Sequence, residues 1–80
     1  MSALKEARKL IESDPTTRNA KTLSRLVLSL ETDQELSLKE IYLLDYDTFE
    51  MAVQIIRDWR IDRYYLSKVR LLDLSLHVVN

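Results

Sequence analysis

The sequence predicts an all-α domain, a small orthogonal bundle of four to five helices, and three observations carry that expectation. Glycine is absent from all 80 residues. Two segments, Ser37-Leu38-Lys39-Glu40 and Asp47-Thr48-Phe49-Glu50, have the form of helix-opening capping boxes. Apolar residues recur at helical spacing along most of the chain. Tight hairpins want Asn-Gly, Asp-Gly or Gly-X at the turn, and none of these is present. Glycine C-caps are excluded too, so helix ends must be set by N-caps and polar clusters.

The first helix is expected from about Ala3 to Ser13. Leu4, Ala7, Leu10 and Ile11 make one narrow apolar stripe, and Lys5, Glu6, Arg8, Lys9 and Glu12 occupy the other side. Pro15, the one proline, ends it, because the residue before a proline disfavours the helical region. The second helix is expected from about Thr17 to Glu31. Leu23, Leu26, Val27 and Leu30 form its main face, with Ala20 and Leu28 beside it and Arg18, Lys21 and Arg25 opposite.

A polar connector, Thr32-Asp33-Gln34-Glu35, precedes the first capping box. There a Ser37 oxygen can accept the N3 backbone N–H while the Glu40 carboxylate reaches back to the cap. That box opens a short helix over 38–44. The second box, with Asp47 as its cap, opens a helix over 48–59 and sets two acidic side chains at the positive end of the helix dipole. Phe49, Ala52, Val53 and Ile56 lie on one face of it, and Met51, Ile55 and Trp59 on an adjoining one. Apolar character on two sides points to a central position in the bundle.

The last segment admits two readings. Ile61, Tyr65, Val69, Leu72, Leu76 and Val79 continue a helical stripe over nineteen residues, with Arg63, Ser67, Arg70, Asp73, His77 and Asn80 as its polar complement. Leu72, Leu74, Leu76 and Val78 also alternate with Asp73, Ser75 and His77 over seven residues, as a strand would. The longer period favours the helix, and a C-terminal strand is the alternative.

Eighty residues make one domain spanning 1–80 with a thin core, burying about 60–65% of the surface its unfolded form exposes. Apolar residues are 46% of the chain, too many for disorder. Cysteine is absent and His77 is the one histidine, which removes disulfides and all but removes a structural zinc site. A domain this small needs some other staple, so self-association as a homo-oligomer, above all a dimer, is expected. No run is long and apolar enough to span a bilayer, and no secretory leader is visible. A cytoplasmic protein that does not use a membrane is the default expectation.

The formal charge of −1 conceals an asymmetry. Residues 1–30 carry six Lys/Arg against three Asp/Glu, residues 31–50 one against seven, and residues 51–70 five against two. An acidic middle therefore lies between basic flanks. The flanks either pair with the middle inside the folded chain or leave a basic face for an anionic partner.

No motif carries a reaction, and no catalytic residue, cofactor or metal is expected. Without cysteine, and with His77 close to one end, nucleophilic triads have no support. Without glycine there is no phosphate-cradling loop. Asp45-x-Asp47-x-x-Glu50 could gather carboxylates around a hard cation, but helix capping explains the same residues better. The segments 38–44 and 48–59 have helix-turn-helix spacing. Phosphates would, however, be repelled by Asp45, Asp47 and Glu50 at the start of the second helix, where a recognition helix presents Arg, Lys, Asn or Gln.

Two features point to binding. In Arg57-Asp58-Trp59-Arg60-Ile61-Asp62-Arg63-Tyr64-Tyr65 a continuous helix would carry Arg57, Arg60 and Arg63 around one broad side with Tyr64 among them. Beyond it, Leu71, Leu74 and Val78 widen the apolar stripe past what a thin core can cover, the mark of an interface. The expected function is a non-enzymatic helical protein-interaction module (adapter, regulator or assembly subunit) that binds through Arg57, Trp59, Arg60, Arg63, Tyr64 and Leu71. The alternative is a nucleic-acid-associated regulator bound through the basic face around residues 57–70.

Overall fold

The computed structural model describes residues 2–61 and 64–79. Five helices follow one another: α1 (Ala3–Ser13), α2 (Arg18–Glu31), α3 (Leu38–Tyr42), α4 (Tyr46–Arg60) and α5 (Tyr65–Val79). No strand occurs among the described residues, so the alternation in the last segment is not used. The Cα radius of gyration is 11.1 Å, close to the roughly 12 Å expected of a compact domain of this length.

Helix boundaries show how a glycine-free chain turns corners. Asp14 caps the end of α1, and its Oδ1 accepts from the Thr16 backbone N–H at 3.3 Å and from the Thr16 hydroxyl at 2.8 Å. Thr17 then opens α2, its Oγ1 accepting from the Ala20 N–H at 3.1 Å. At the other end of α2 both the N–H and the hydroxyl of Thr32 donate to the Leu28 carbonyl, at 2.8 and 2.6 Å. Between α4 and α5 the work falls to Lys68. Its ammonium donates to the carbonyls of Trp59 at 3.0 Å and Ile61 at 2.6 Å, and lies 5.8 Å from the Trp59 ring centroid. A cation from the next helix thus satisfies carbonyls at the end of α4.

The two capping boxes are corrected in detail. Ser37 caps α3, but its oxygen accepts from the Lys39 N–H at 3.2 Å, and the Glu40 carboxylate pairs with Arg25 of α2. The α4 cap is Asp45, not Asp47; its Oδ1 accepts from the Thr48 N–H at 2.9 Å, and α4 starts two residues earlier than the spacing suggested. Thr48, Ala52, Ile55 and Asp58 are the buried positions of α4. With α3 only five residues long, the helix-turn-helix spacing does not correspond to a helix pair of that kind.

The central helix is α2. Ala20, Thr22, Leu23, Ser24, Leu26, Val27 and Leu28 are all buried, and α1, α4 and α5 pack around it. The position expected for the fourth helix is therefore taken by the second. In α5 the expected stripe is only partly the inner face: of its members Leu72 packs against the core. Leu71 and Ser75 are the buried positions of the helix, with Leu74 and Val78 packed against the core, whereas Tyr65, Val69 and Leu76 are exposed. Because α5 is apolar on nearly every side, spacing alone could not say which side faces in. No helix among the described residues is long and apolar enough to cross a membrane.

Candidate interaction surface

Of the six residues expected to form one binding face, the five described do not lie on one continuous helix. Helix α4 ends at Arg60, Ile61 is extended, and Tyr64 has a left-handed backbone (φ 56°) before α5 begins. The continuous helix that would align Arg57, Arg60, Arg63 and Tyr64 is thus absent, and Arg63 lies outside the described residues. Leu71 is wholly buried against the core and has no surface to offer a partner. Trp59 is half-buried, and its Nε1 donates to Glu31 Oε2 at 2.9 Å, which ties α4 back to α2. Arg57 and Arg60 remain exposed.

Among the described residues, few ion pairs join the basic flanks to the acidic middle. Arg25 pairs with Glu40 in this way. Asp58, which would dilute the positive charge near Arg57 and Arg60, is turned inward and accepts from Gln54 Nε2 at 3.0 Å. The surface at the end of α4 is more basic than its sequence.

An apolar surface lies where the sequence drew no attention. Leu38 is 81% exposed, Tyr42 72% and Tyr46 75%. Two shallow clefts connect them. One, of about 310 Å³, is lined by Leu38, Lys39 and Tyr42; the other, of about 320 Å³, by Tyr42, Leu44, Tyr46 and Phe49. Tyr42 belongs to both, so the patch is continuous from α3 onto α4. The physical cause is the brevity of α3. Five residues present a single inward position, Ile41, and leave Leu38 and Tyr42 on the outside.

The patch runs on along α4. At 100° per residue, Tyr46, Phe49, Val53, Ile56 and Arg60 fall within a band about 80° wide. Wholly buried Ile55 lies on the opposite side of the helix, and wholly buried Ala52 borders the Ile56 edge of the band. Tyr46, Ile56 and Arg60 are exposed and Phe49 and Val53 half-buried. Glu50 and Arg57 flank the same edge of the band. The Glu50 carboxylate accepts a hydrogen bond from the Tyr46 phenol and opposes its ionisation, and with the charge of Asp47 holds that phenol above its ordinary value of 10.0. The outer face of α4 is therefore aromatic and acidic where it begins and basic where it ends. Periodicity places Phe49, Ala52, Val53 and Ile56 together as one face; Ala52 is wholly buried, Phe49 and Val53 are half-buried and Ile56 is exposed, so that face borders the core rather than lying in it.

No protein-family model matches the chain, no curated protein is measurably similar to it, and no solved structure matches it.

Proposed function

We propose that this chain is a non-enzymatic helical protein-interaction module, an adapter, regulator or assembly subunit, whose contact surface is the outer face of α4 together with α3. The observation that carries this reading is the exposed run Leu38–Tyr42–Tyr46 across two helices, bordered by half-buried Phe49. Monomeric proteins rarely leave large aromatic and aliphatic side chains contiguous in water, and such patches mark protein contacts. Tyrosine suits that role, because it adds large area at low rotamer cost and keeps a polar tip. Of the residues expected from sequence, Arg57 and Arg60 keep a place in the surface.

Nucleic-acid binding around residues 57–70 has less support. The helix that would align the arginines is broken, and Trp59, the best stacking group, is engaged with Glu31 and Lys68.

The test is photo-crosslinking in cells from a reactive amino acid at position 42, with position 21, exposed on α2, as the control. Adducts of discrete mass from position 42 that disappear with Leu38→Asp/Tyr46→Asp are expected. No discrete adduct, or the same adducts from both positions, would refute the reading.

A further inference from the structure

We infer that the partner of the α4 face is a second copy of this chain, docked with α4 antiparallel to α4 about a two-fold axis at Val53. This rests on the interaction-module reading and names the occupant of that surface.

The order of charges along the single helix α4, whose relative positions follow from helix geometry, sets the orientation. Tyr46 and Arg60 stand fourteen residues apart, about 21 Å at 1.5 Å per residue. Val53 is midway between them. Antiparallel pairing about Val53 sets the Tyr46 ring of one copy against the Arg60 guanidinium of the other, a cation–π arrangement that occurs twice by symmetry. The two Val53 side chains meet at the axis, and Phe49 of each copy meets Ile56 of the other on either side of them, forming an apolar centre.

The flanking charges agree with this orientation. In an antiparallel pair like edges of the two helices face each other. Glu50 and Arg57 lie on the same edge, at nearly equal distances from Val53 in opposite directions. Glu50 of each copy therefore meets Arg57 of the other. A parallel pair would set acidic end against acidic end and basic against basic. Arg57 and Arg60 have no ion pair to compete for them among the described residues. The acidic-middle and basic-flank asymmetry is satisfied between chains. A contact centred on one fifteen-residue helix sits at the small end of stable interfaces, so a micromolar dimer is expected rather than an obligate one.

The absence of native cysteine makes the test direct. Val53→Cys places a thiol at the two-fold axis and should oxidise to a disulfide-linked dimer. Tyr46→Cys should not link to itself, since its two copies stand about 21 Å apart along the pair, yet should link to Arg60→Cys when the two are mixed. Independently, Arg57→Glu and Glu50→Arg should each sediment as a monomer of 9.5 kDa. Each carries like charges on the facing edges; an equimolar mixture restores opposite pairs and should give a heterodimer at least tenfold tighter than either variant alone. Circular dichroism of each variant confirms that these exposed substitutions leave the helices intact. The inference is overturned if Val53→Cys oxidises no faster than Lys21→Cys, if Tyr46→Cys self-links as readily as Val53→Cys, or if the mixed variants stay monomeric. A native chain that remains monomeric at millimolar concentration while position 42 still crosslinks to a different protein would remove the dimer and leave the module reading standing.

Discussion

Asn19, in the first turn of α2, donates from Nδ2 to Asp45 Oδ2 at 2.7 Å, and so the second helix holds the cap of the fourth. The same nitrogen lies 3.3 Å from Thr48 Oγ1, and the Thr48 N–H donates to the other Asp45 oxygen. Hydrogen bonds from Thr48 first, and then from Asn19, favour the charged carboxylate and hold Asp45 below the ordinary aspartate value of 3.8. A depressed folded-state value means that unfolding takes up a proton in acid. The stabilisation is therefore complete above pH 3.8 and is lost as pH falls through the lower folded value. Carboxyl NMR titration should find the Asp45 midpoint below 3.8, and Asn19→Ala should move it part of the way back. A midpoint unchanged by Asn19→Ala would mean that the cross-helix bond does not persist in solution.

Ser24 is wholly buried in the central helix, and its hydroxyl has no hydrogen-bond partner among the described residues. A buried hydroxyl without a partner loses its water and gains nothing in exchange. Ser24→Ala removes that oxygen, keeps the close approach of the helices and raises helix propensity. It should stabilise the fold by about 1 kcal/mol, a rise of about 4–8 °C in Tm for a domain of this size. A fall in Tm on calorimetry would show that the hydroxyl is satisfied after all.

Tyr64 occupies the left-handed region that glycine normally fills, and its carbonyl accepts the Lys68 N–H at 2.9 Å as α5 begins. For an L-residue that conformation costs about 1–2 kcal/mol. Comparing two truncations cancels the loss of the ring: Tyr64→Gly should be more stable than Tyr64→Ala by about 1 kcal/mol in urea denaturation. The reverse order, which glycine's greater unfolded-state entropy would produce at an ordinary φ, would contradict this backbone geometry.

How far the fold could be read depended on how one-sided each helix is. Helix α1 was legible to the residue, because a narrow apolar stripe and Pro15 agree on its limits; the structure adds Ser2 as its cap. Helix α4 was legible in existence but not in phase. Asp45 and Asp47 are both competent caps, and with apolar residues on two sides of the helix the spacing leaves open which side faces in. The contact surface was missed for that reason, and because the fate of Leu38 and Tyr42 depends on α3 stopping after five residues. The break at 61–64 has no local marker in the sequence, since neither glycine nor proline occurs there; its visible support is Lys68, a residue of the next helix.

In α5 the two competing apolar faces separate experimentally. Leu71 is fully buried, while Leu76, five residues later, is 41% exposed on the face that the periodicity had turned inward. Truncating a wholly buried leucine removes its transfer free energy and leaves a cavity, about 2–5 kcal/mol together, against a total stability of about 5–15 kcal/mol for a domain. Leu71→Ala should therefore leave a marginal or unfolded chain, seen as lost helical signal at 222 nm well below the native Tm. Leu76→Ala removes a side chain still partly in water and makes no comparable cavity, so its cost should stay near or below about 1 kcal/mol. Equal costs would mean that α5 is rotated in solution, and a larger loss at Leu76 would restore the stripe through Tyr65, Val69 and Leu76 as the inner face.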